Sequence, residues 1–139
     1  MPVRALADTG ALLAYLDRKD RWHGRCREAF PGFRLPLVTT AAVLTELFHL
    51  VGDSAREVDA AWGFVRSGAL TLASIGDADL PELEALMRRY RDRPMDLADA
   101  TLVRVAERES LFTVFTIDHD DFETYRTGGR RRFRIVPGR

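Results

Sequence analysis

The strongest β-strand signal in this sequence of 139 residues is Phe112-Thr113-Val114-Phe115-Thr116-Ile117, which ends at Asp118-His119-Asp120-Asp121. β-Branched and aromatic residues of this kind favour a buried strand. A second short apolar run, Val3 to Ala7, also ends at an acid, in Asp8-Thr9-Gly10. Apolar residues then recur with helical spacing up to Leu16. Two predicted strands therefore end at aspartates.

The rest of the chain alternates predicted helices with short strands. Further strands are predicted at Leu37 to Thr39, Ala69 to Leu72 and Phe133 to Val136. Further helices are predicted from Thr39 or Thr40 to Gly52, from Ser54 to Gly68, from Asp77 or Asp79 to the arginine cluster before Pro94, and from Asp96 to about Glu109. This alternation predicts an α/β fold whose mainly parallel central sheet is covered by helices on both faces, a three-layer α/β/α arrangement. The length fits a single domain over 1–139.

Composition limits the classes of function. The chain has 21 Lys and Arg against 21 Asp and Glu, so no net charge attracts the whole molecule to nucleic acid or to a membrane. A lone cysteine, Cys26, excludes an intramolecular disulfide framework. No apolar run reaches the roughly 20 residues that span a bilayer, and Asp8 interrupts any export signal. We therefore expect a cytoplasmic protein without a membrane partner.

Five acids are expected to converge. Ligands of an open parallel sheet bind beyond the carboxyl ends of its strands, so Asp8 and Asp118 meet if their strands are neighbours. Glu46 interrupts an apolar helical stretch, where a carboxylate needs a compensating charge. Asp96 and Asp99 share one face at the start of a helix, and Asp99 lies on the apolar side.

Each of these acids also has an ordinary structural explanation, as a turn or cap residue or as the partner of a buried arginine. Converging carboxylates repel one another, however, and need a cation or protons to stay together. An all-oxygen cluster suits Mg²⁺ or Mn²⁺, which also bind phosphate oxygens. The pattern therefore indicates metal-assisted hydrolysis of a phosphoester.

Four motifs resemble those of the PIN-domain ribonucleases, in particular the VapC-like toxins of prokaryotic toxin–antitoxin pairs. They are Ala7-Asp8-Thr9-Gly10-Ala11-Leu12-Leu13, Thr45-Glu46-Leu47, Leu97-Ala98-Asp99-Ala100 and Thr116-Ile117-Asp118-His119-Asp120-Asp121-Phe122. The resemblance implies that Asp8, Glu46, Asp99 and Asp118 are the catalytic and metal-binding acids, with Asp8 and Asp99 as the foremost direct ligands. It gives Asp96 and Asp121 a secondary place, while the hydroxyls of Thr9 and Thr116 orient carboxylates or water.

The same resemblance implies an endoribonuclease that uses one or two Mg²⁺ ions and leaves 5′-phosphate and 3′-hydroxyl ends. We expect RNA as substrate, with Arg89 and Arg91 as candidate phosphate contacts. We also expect a homodimer, formed by apolar helices around Trp62 and from Leu83 to Tyr90. The remaining expected partner is a small antitoxin that lays a segment near the Glu46 helix and inserts an arginine among the acids.

Other interpretations of the sequence stay open. Asp8-Thr9-Gly10 also marks the catalytic aspartate of retroviral-type aspartic proteases, although those are almost all-β. A receiver or phosphoryl-transfer domain gathers aspartates too, but needs a lysine nearby, and Lys19 is the only one. A degenerate PIN domain would bind RNA or protein without turnover, and an active one could be a housekeeping nuclease. The three histidines show no ligand-spaced pair; His119, beside Asp118, is the one nearest the acids.

Overall fold

The structure, a computed structural model, describes residues 2–139. In this range the helices are α1 (Thr9–Leu16), α2 (His23–Ala29), α3 (Ala41–Val51), α4 (Ala55–Val65), α5 (Leu80–Arg89), α6 (Leu97–Glu109) and α7 (His119–Thr124). The strands are β1 (Leu6–Ala7), β2 (Leu37–Thr39), β3 (Leu70–Leu72), β4 (Thr113–Phe115), β5 (Arg126–Thr127), β6 (Arg131–Arg132) and β7 (Arg134–Val136). The alternation predicted from the sequence is confirmed.

Five of the strands form one parallel sheet in the order β3-β2-β1-β4-β7. Leu6 of β1 aligns with Val38 of β2 on one side and with Val114 of β4 on the other. The chain leaves β1 toward β2 and leaves β4 toward β7. The carboxyl ends of β1 and β4 therefore lie at the switch point of the sheet, where open α/β folds bind ligands.

The helices cover both faces of the sheet. The connections run from β1 through β2 to β3 in one direction and from β3 back to β4 in the other. Right-handed crossovers place α1 to α4 on one face and α5 and α6 on the opposite face. The predicted three-layer α/β/α fold with a parallel central sheet is confirmed, and the largest fully buried side chains, among them Leu6, Phe115 and Tyr125, lie in its core.

Three of the predicted helix starts carry the expected caps. The side chain of Thr40 accepts from the backbone N–H of Val43 at 3.4 Å, and that of Asp96 accepts from Asp99 at 2.8 Å. Ser54 does the same for α4. Each of these bonds satisfies a backbone donor that a helix start leaves free. The caps fix where α3 and α6 begin, and so where Glu46 and Asp99 project.

Other elements differ from the prediction. Strands β1 and β4 are shorter than predicted, since β4 ends at Phe115 and β1 begins at Leu6, whereas β2 has the predicted bounds. Helices α2 and α7 and the antiparallel β5–β6 hairpin were not predicted. Asp79 precedes α5 as predicted, but its side chain accepts from the Gly76 N–H and from two arginines instead of capping that helix.

Gly10 allows α1 to begin against the end of β4. A Cβ atom at this position would lie 3.0 Å from the Ile117 side chain, closer than a methyl group fits without movement. The Asp8-Thr9-Gly10 sequence therefore serves a strand-to-helix turn in a parallel α/β sheet, which excludes the aspartic protease interpretation. Within residues 2–139, no helix combines the length and apolar character that crossing a membrane requires.

Candidate active site

The acids predicted to converge line one pocket of about 360 Å³ at the carboxyl end of β1 and β4. Its lining residues are Asp8, Thr9, Gly10, Glu46, Leu50, Asp96, Asp99, Ile117 and Asp118. All four acids that the resemblance marked as catalytic are in this set, together with the secondary candidates Asp96 and Thr9. The pocket joins side chains from α1, α3 and α6 with those that follow β1 and β4.

Asp8 is held from both sides. It lies at the N-cap of α1, where one carboxylate oxygen accepts from the Thr9 N–H at 2.8 Å. The other oxygen accepts from the Thr116 hydroxyl at 2.8 Å. Burial raises the pKa of Asp8 to about 6 against these two hydrogen bonds, and the charges of Asp118 and Glu46 raise it further. Hydrogen bonds thus fix the position of the carboxyl group, while burial and the neighbouring acids disfavour its ionised form.

Asp99 is the most perturbed acid of the pocket. It lies in the first turn of α6, only 7% exposed, and accepts from the Tyr125 hydroxyl at 2.9 Å. Burial raises the pKa of Asp99 to about 8, and the charges of Asp8 and Asp96 add to the rise. Since the opposing hydrogen bond from Tyr125 does not offset these effects, Asp99 favours its protonated form near neutral pH.

Asp118 and Asp121 lie around the start of α7. One carboxylate oxygen from each of Asp99, Asp118 and Asp121 lies within 4.8 Å of the other two. Asp118 is partly open to solvent, yet the desolvation of its carboxyl group raises its pKa to about 6, and the contact with Asp121 raises it further. Asp121 also accepts from the Arg93 guanidinium at 3.0 Å. This tightest group of acidic oxygens includes Asp99 but not Asp8.

Glu46 enters the pocket from α3 and is half-buried. Its carboxylate accepts from the Thr9 hydroxyl at 3.3 Å. Burial raises the pKa of Glu46, and the charge of Asp96 contributes. Within residues 2–139, neither Glu46 nor Asp8, Asp99 or Asp118 forms an ion pair with an arginine, lysine or histidine. A buried arginine partner therefore does not explain Glu46.

Thr116 connects two of the acids. Its hydroxyl donates to Asp8 and accepts from the backbone N–H of Asp118 at 3.0 Å. Thr9 has a similar position between α1 and α3, since its hydroxyl contacts both Glu46 and the Val43 carbonyl. Both threonines therefore orient carboxylates, as expected from their places beside the motif acids.

Sequence reasoning missed Tyr125 and Arg93 as neighbours of the acids. Tyr125 is fully buried, and burial together with Asp99 raises the pKa of its phenol above the ordinary value, so it remains a donor. Neither residue lies in a motif. The only signal was an aromatic residue shortly after the acidic run and one arginine within the cluster before Pro94.

The other candidate residues lie outside the pocket. His119 is buried, hydrogen-bonds to the Pro137 carbonyl at 2.8 Å and packs on Trp22. Arg89 and Arg91 are exposed near the end of α5 and do not line the pocket. Lys19 is exposed after α1, away from the acids, so the balancing lysine of a receiver domain is missing.

The donor set of the pocket fits a hard divalent cation. It offers only oxygen ligands. Two of its carboxylates, Asp8 and Asp99, are buried, and neither has a countercharge among the described residues. Ionising them together is unfavourable unless a cation offsets their repulsion. Asp99, Asp118 and Asp121 bring three oxygens close enough to share one ion.

Comparisons with known proteins identify the family of the chain. The PIN domain family matches residues 5–127. Ribonuclease VapC26 of Mycobacterium tuberculosis (strain ATCC 25618 / H37Rv) is 33% identical over 135 residues, which cover 95% of this chain and 99% of that protein.

A solved structure shares the fold. The crystal structure of Mycobacterium tuberculosis VapC20, a sarcin–ricin loop cleaving toxin, superposes with a TM-score of 0.75 at 19% identity, over 84% of this chain and 91% of that one. At this identity the likeness concerns the fold. With the family match and the identity to VapC26, it leads to one conclusion: the chain belongs to the PIN-domain family and is a relative of the VapC ribonucleases.

Proposed function

We propose that this chain is a Mg²⁺-dependent endoribonuclease, built as a single domain over residues 1–139 and acting in the cytoplasm as the toxin of a toxin–antitoxin pair. The observation that carries the proposal is a pocket of carboxylates without a countercharge among the described residues, two of them buried, in a chain 33% identical to a protein named ribonuclease VapC26. Phosphodiesters carry negative charge and would be repelled by this pocket alone. A divalent cation bound by the acids would offset their negative charge and allow a phosphate group to approach.

Asp8, Glu46, Asp99 and Asp118 are the residues proposed to hold the ion, with Asp121 as a further oxygen. A divalent ion in such a site offsets carboxylate repulsion, draws a phosphate oxygen and lowers the pKa of a coordinated water. The chain contributes the positions of its own groups. Asp8 is fixed by two hydrogen bonds and Asp99 by the Tyr125 hydroxyl, so little reorganisation is needed on binding.

Apolar side chains also lie beside the acids, since Leu50 and Ile117 line the pocket. Less polar surroundings strengthen electrostatic interactions. The raised pKa of Asp99 lets this carboxyl group hold a proton near neutrality until a cation replaces it. Arg89 and Arg91 remain candidate phosphate contacts, since both are exposed and free of ion pairs within residues 2–139.

The test of this proposal is an RNA-cleavage assay with the purified full chain. Wild type should cleave total RNA in Mg²⁺, stop in excess EDTA and resume when Mg²⁺ is restored, whereas Asp8→Asn should stay inactive throughout. The control is Asp79→Asn, which alters an acid of similar burial outside the pocket. Cleavage that survives EDTA, or an Asp8→Asn protein with full turnover, would contradict the proposal. A protein that binds RNA without cutting it would be a binding module.

The proposed partner is a small antitoxin whose segment lies beside α3. Support comes from a groove of about 190 Å³ between α1, α3 and α4, partly lined by Leu13, Leu16 and Val51. Leu50 lines both this groove and the acidic pocket, so a peptide in the groove can reach the acids. An arginine from such a peptide would pair with carboxylates that have no cation of their own.

Co-expression with the neighbouring small reading frame tests this partner. A copurifying complex with reduced cleavage is expected, and expression of wild type alone should stop growth of a prokaryotic host where Asp8→Asn does not. A complex with undiminished cleavage would contradict the proposed role of the segment.

A homodimer is the remaining partner proposal. Leu83 and Leu86 are buried within the chain, so the predicted apolar stripe of α5 is largely used by its own core. Trp62 is 48% exposed on α4 and stacks on Phe48, and Met87 is also exposed. These side chains are what an interface would cover. Light scattering at micromolar concentration should give twice the chain mass; a monomeric mass would contradict the proposal.

A further inference from the structure

Arginines collect at the end of the sheet opposite the acidic pocket. All five strands of the parallel sheet begin at this end. The backbone N–H of Arg34 donates to the Val3 carbonyl at 2.8 Å, which places Arg34 beside Arg4. The N–H of Arg134 donates to the Phe112 carbonyl at 2.7 Å. The strand starts thus bring together arginines that are far apart in sequence.

These arginines form a surface that we call the arginine edge. Its members are Arg4, Arg34, Arg131, Arg132 and Arg134, all exposed. Within residues 2–139, none of them forms an ion pair. Five arginines elsewhere in this range do pair with acids, among them Arg93 with Asp121 and Arg104 with Asp79. The arginine edge therefore holds positive charge that the chain does not neutralise by such pairs.

The edge has room for bound anionic groups. Arg4 and Arg34 line a pocket of about 280 Å³, and Arg131 lines another of about 260 Å³ that also contains Glu107. The Arg131 guanidinium carbon lies 3.5 Å from the centroid of the Phe112 ring, so the side chain packs against that ring. Strands β2, β1, β4 and β7 are neighbours, so β2 and β7 lie about 15 Å apart at roughly 4.8 Å per strand. Arg34 precedes β2, and Arg134 is the first residue of β7.

We propose that the arginine edge binds the phosphate backbone of RNA at a second place, away from the bond that is cut. The inference rests on the proposed ribonuclease function. Arg4 precedes Asp8 by four residues, so the edge lies about 13 Å from the acidic pocket along β1. An RNA strand seated among the acids must continue around the molecule to reach the arginines, which only a long or folded substrate does.

Phosphate is favoured over an acidic protein as the ligand. Repeated guanidinium groups spread over about 15 Å match a polymer whose charge repeats along its length. Each planar guanidinium can form two parallel hydrogen bonds to one phosphate. A protein interface of the usual kind is organised around an apolar core. Among the residues that line these two pockets, Leu35 is the one large apolar side chain that is strongly exposed, at 46%.

The test compares a triple variant with a charge-matched control. Arg4→Gln, Arg34→Gln and Arg134→Gln remove three charges from the edge and leave Arg131 on Phe112. The control removes three charges from exposed sites elsewhere that form no ion pair within residues 2–139, through Arg21→Gln, Arg56→Gln and Arg66→Gln. Both are made with and without Asp8→Asn, so that binding to a folded RNA is measured without cleavage. A triple Arg-to-Lys variant at positions 4, 34 and 134 keeps the charge, and melting curves confirm that each protein folds.

The expected result concerns the slope of log affinity against log salt concentration. That slope should become shallower by about 2 in the triple Gln variant, at about 0.7 per lost phosphate contact, and should stay close to wild type in the Lys variant and the control. In the proteins that keep Asp8, we compare kcat/KM for a folded RNA with kcat/KM for an oligonucleotide of about 4 nucleotides. The ratio of the first to the second should fall by roughly tenfold or more in the Gln variant.

Equal slopes and equal substrate ratios in the Gln variant and the control would overturn the inference. A wild type that cleaves neither substrate would contradict the proposed ribonuclease function instead, which keeps the two failures apart.

Discussion

Asp79 and Asp99 are two aspartates of nearly equal exposure, 6% and 7%, in opposite electrostatic surroundings. Asp79 accepts from Arg104 at 2.8 Å and Arg108 at 3.2 Å, and the Gly76 N–H and Arg104 hold its pKa below the ordinary value. Asp99 has a tyrosine hydroxyl and other acids as neighbours, and burial raises its pKa to about 8.

The difference separates acids that the chain neutralises with arginines from acids that it leaves without a countercharge among the described residues. The chain neutralises Asp79, and Arg139 does the same for Asp120 and Glu123 on the outer side of α7. It leaves the pocket acids to repel one another, which costs stability in the absence of a cation. We infer that the repulsion among the pocket acids persists because a cation that offsets it takes part in the function. Perturbed acids of this kind cluster at functional sites.

The largest expected effect is on cleavage. Asp8→Asn and Asp99→Asn should each lower kcat/KM for RNA by more than about a hundredfold, because even supporting residues of metal sites contribute 10- to 100-fold. Steady-state cleavage of a labelled RNA in saturating Mg²⁺ measures this. Asp79→Asn, assayed as folded protein, serves as the matched control and should retain nearly full turnover. Comparable losses in all three variants would remove the distinction between the two regions.

The second effect is on the stability of the Asp79 region. Asp79→Asn removes the carboxylate from the Arg104 and Arg108 guanidiniums and weakens the link between α5 and α6. The melting temperature should fall by roughly 5 °C or more, since hydrogen bonds to charged groups are among the strong ones. Circular dichroism at neutral pH follows the transition. A melting temperature equal to wild type would show that the arginine pairs do not stabilise the fold.

The smallest expected effect has the opposite sign. A raised pKa in the folded state means that wild type loses stability as pH rises from about 4 toward 8, because Asp99 must ionise while buried. In EDTA, Asp99→Asn should therefore melt higher than wild type by a few degrees at pH 8 and by much less at pH 5. Denaturation curves at both pH values test it; a variant less stable than wild type at pH 8 would contradict the assignment.

Much of the site was accessible from sequence because parallel sheets align their strand ends. Asp8 and Asp118 each follow a short strand, so the adjacency of β1 and β4 was enough to bring them together. Asp99 could be placed because an N-cap at Asp96 fixes the phase of α6. Glu46 stood out as a carboxylate among apolar helix positions.

What sequence could not give depends on contacts between distant or weakly patterned segments. Helix α7 spans six residues and has Phe122 as its only buried apolar one, so no periodicity marks it. The bond from Tyr125 to Asp99 joins residues 26 apart. Asp79 carried an ordinary cap signal, and only the packing of α6 on α5 brings its two arginines to it. The distinction between neutralised and strained acids therefore required the structure.

The most direct test of the central claim is the number of protons released when Mg²⁺ binds. Since Asp99 favours its protonated form at pH 7, a cation in the pocket must displace that proton. Calorimetric titration of the metal-free protein in two buffers of different ionisation enthalpy counts the released protons. Wild type and Asp79→Asn should bind Mg²⁺ and release about one proton each, and Asp99→Asn should bind more weakly and release fewer. Absence of Mg²⁺ binding, or binding with the same proton release in wild type and Asp99→Asn, would contradict the account.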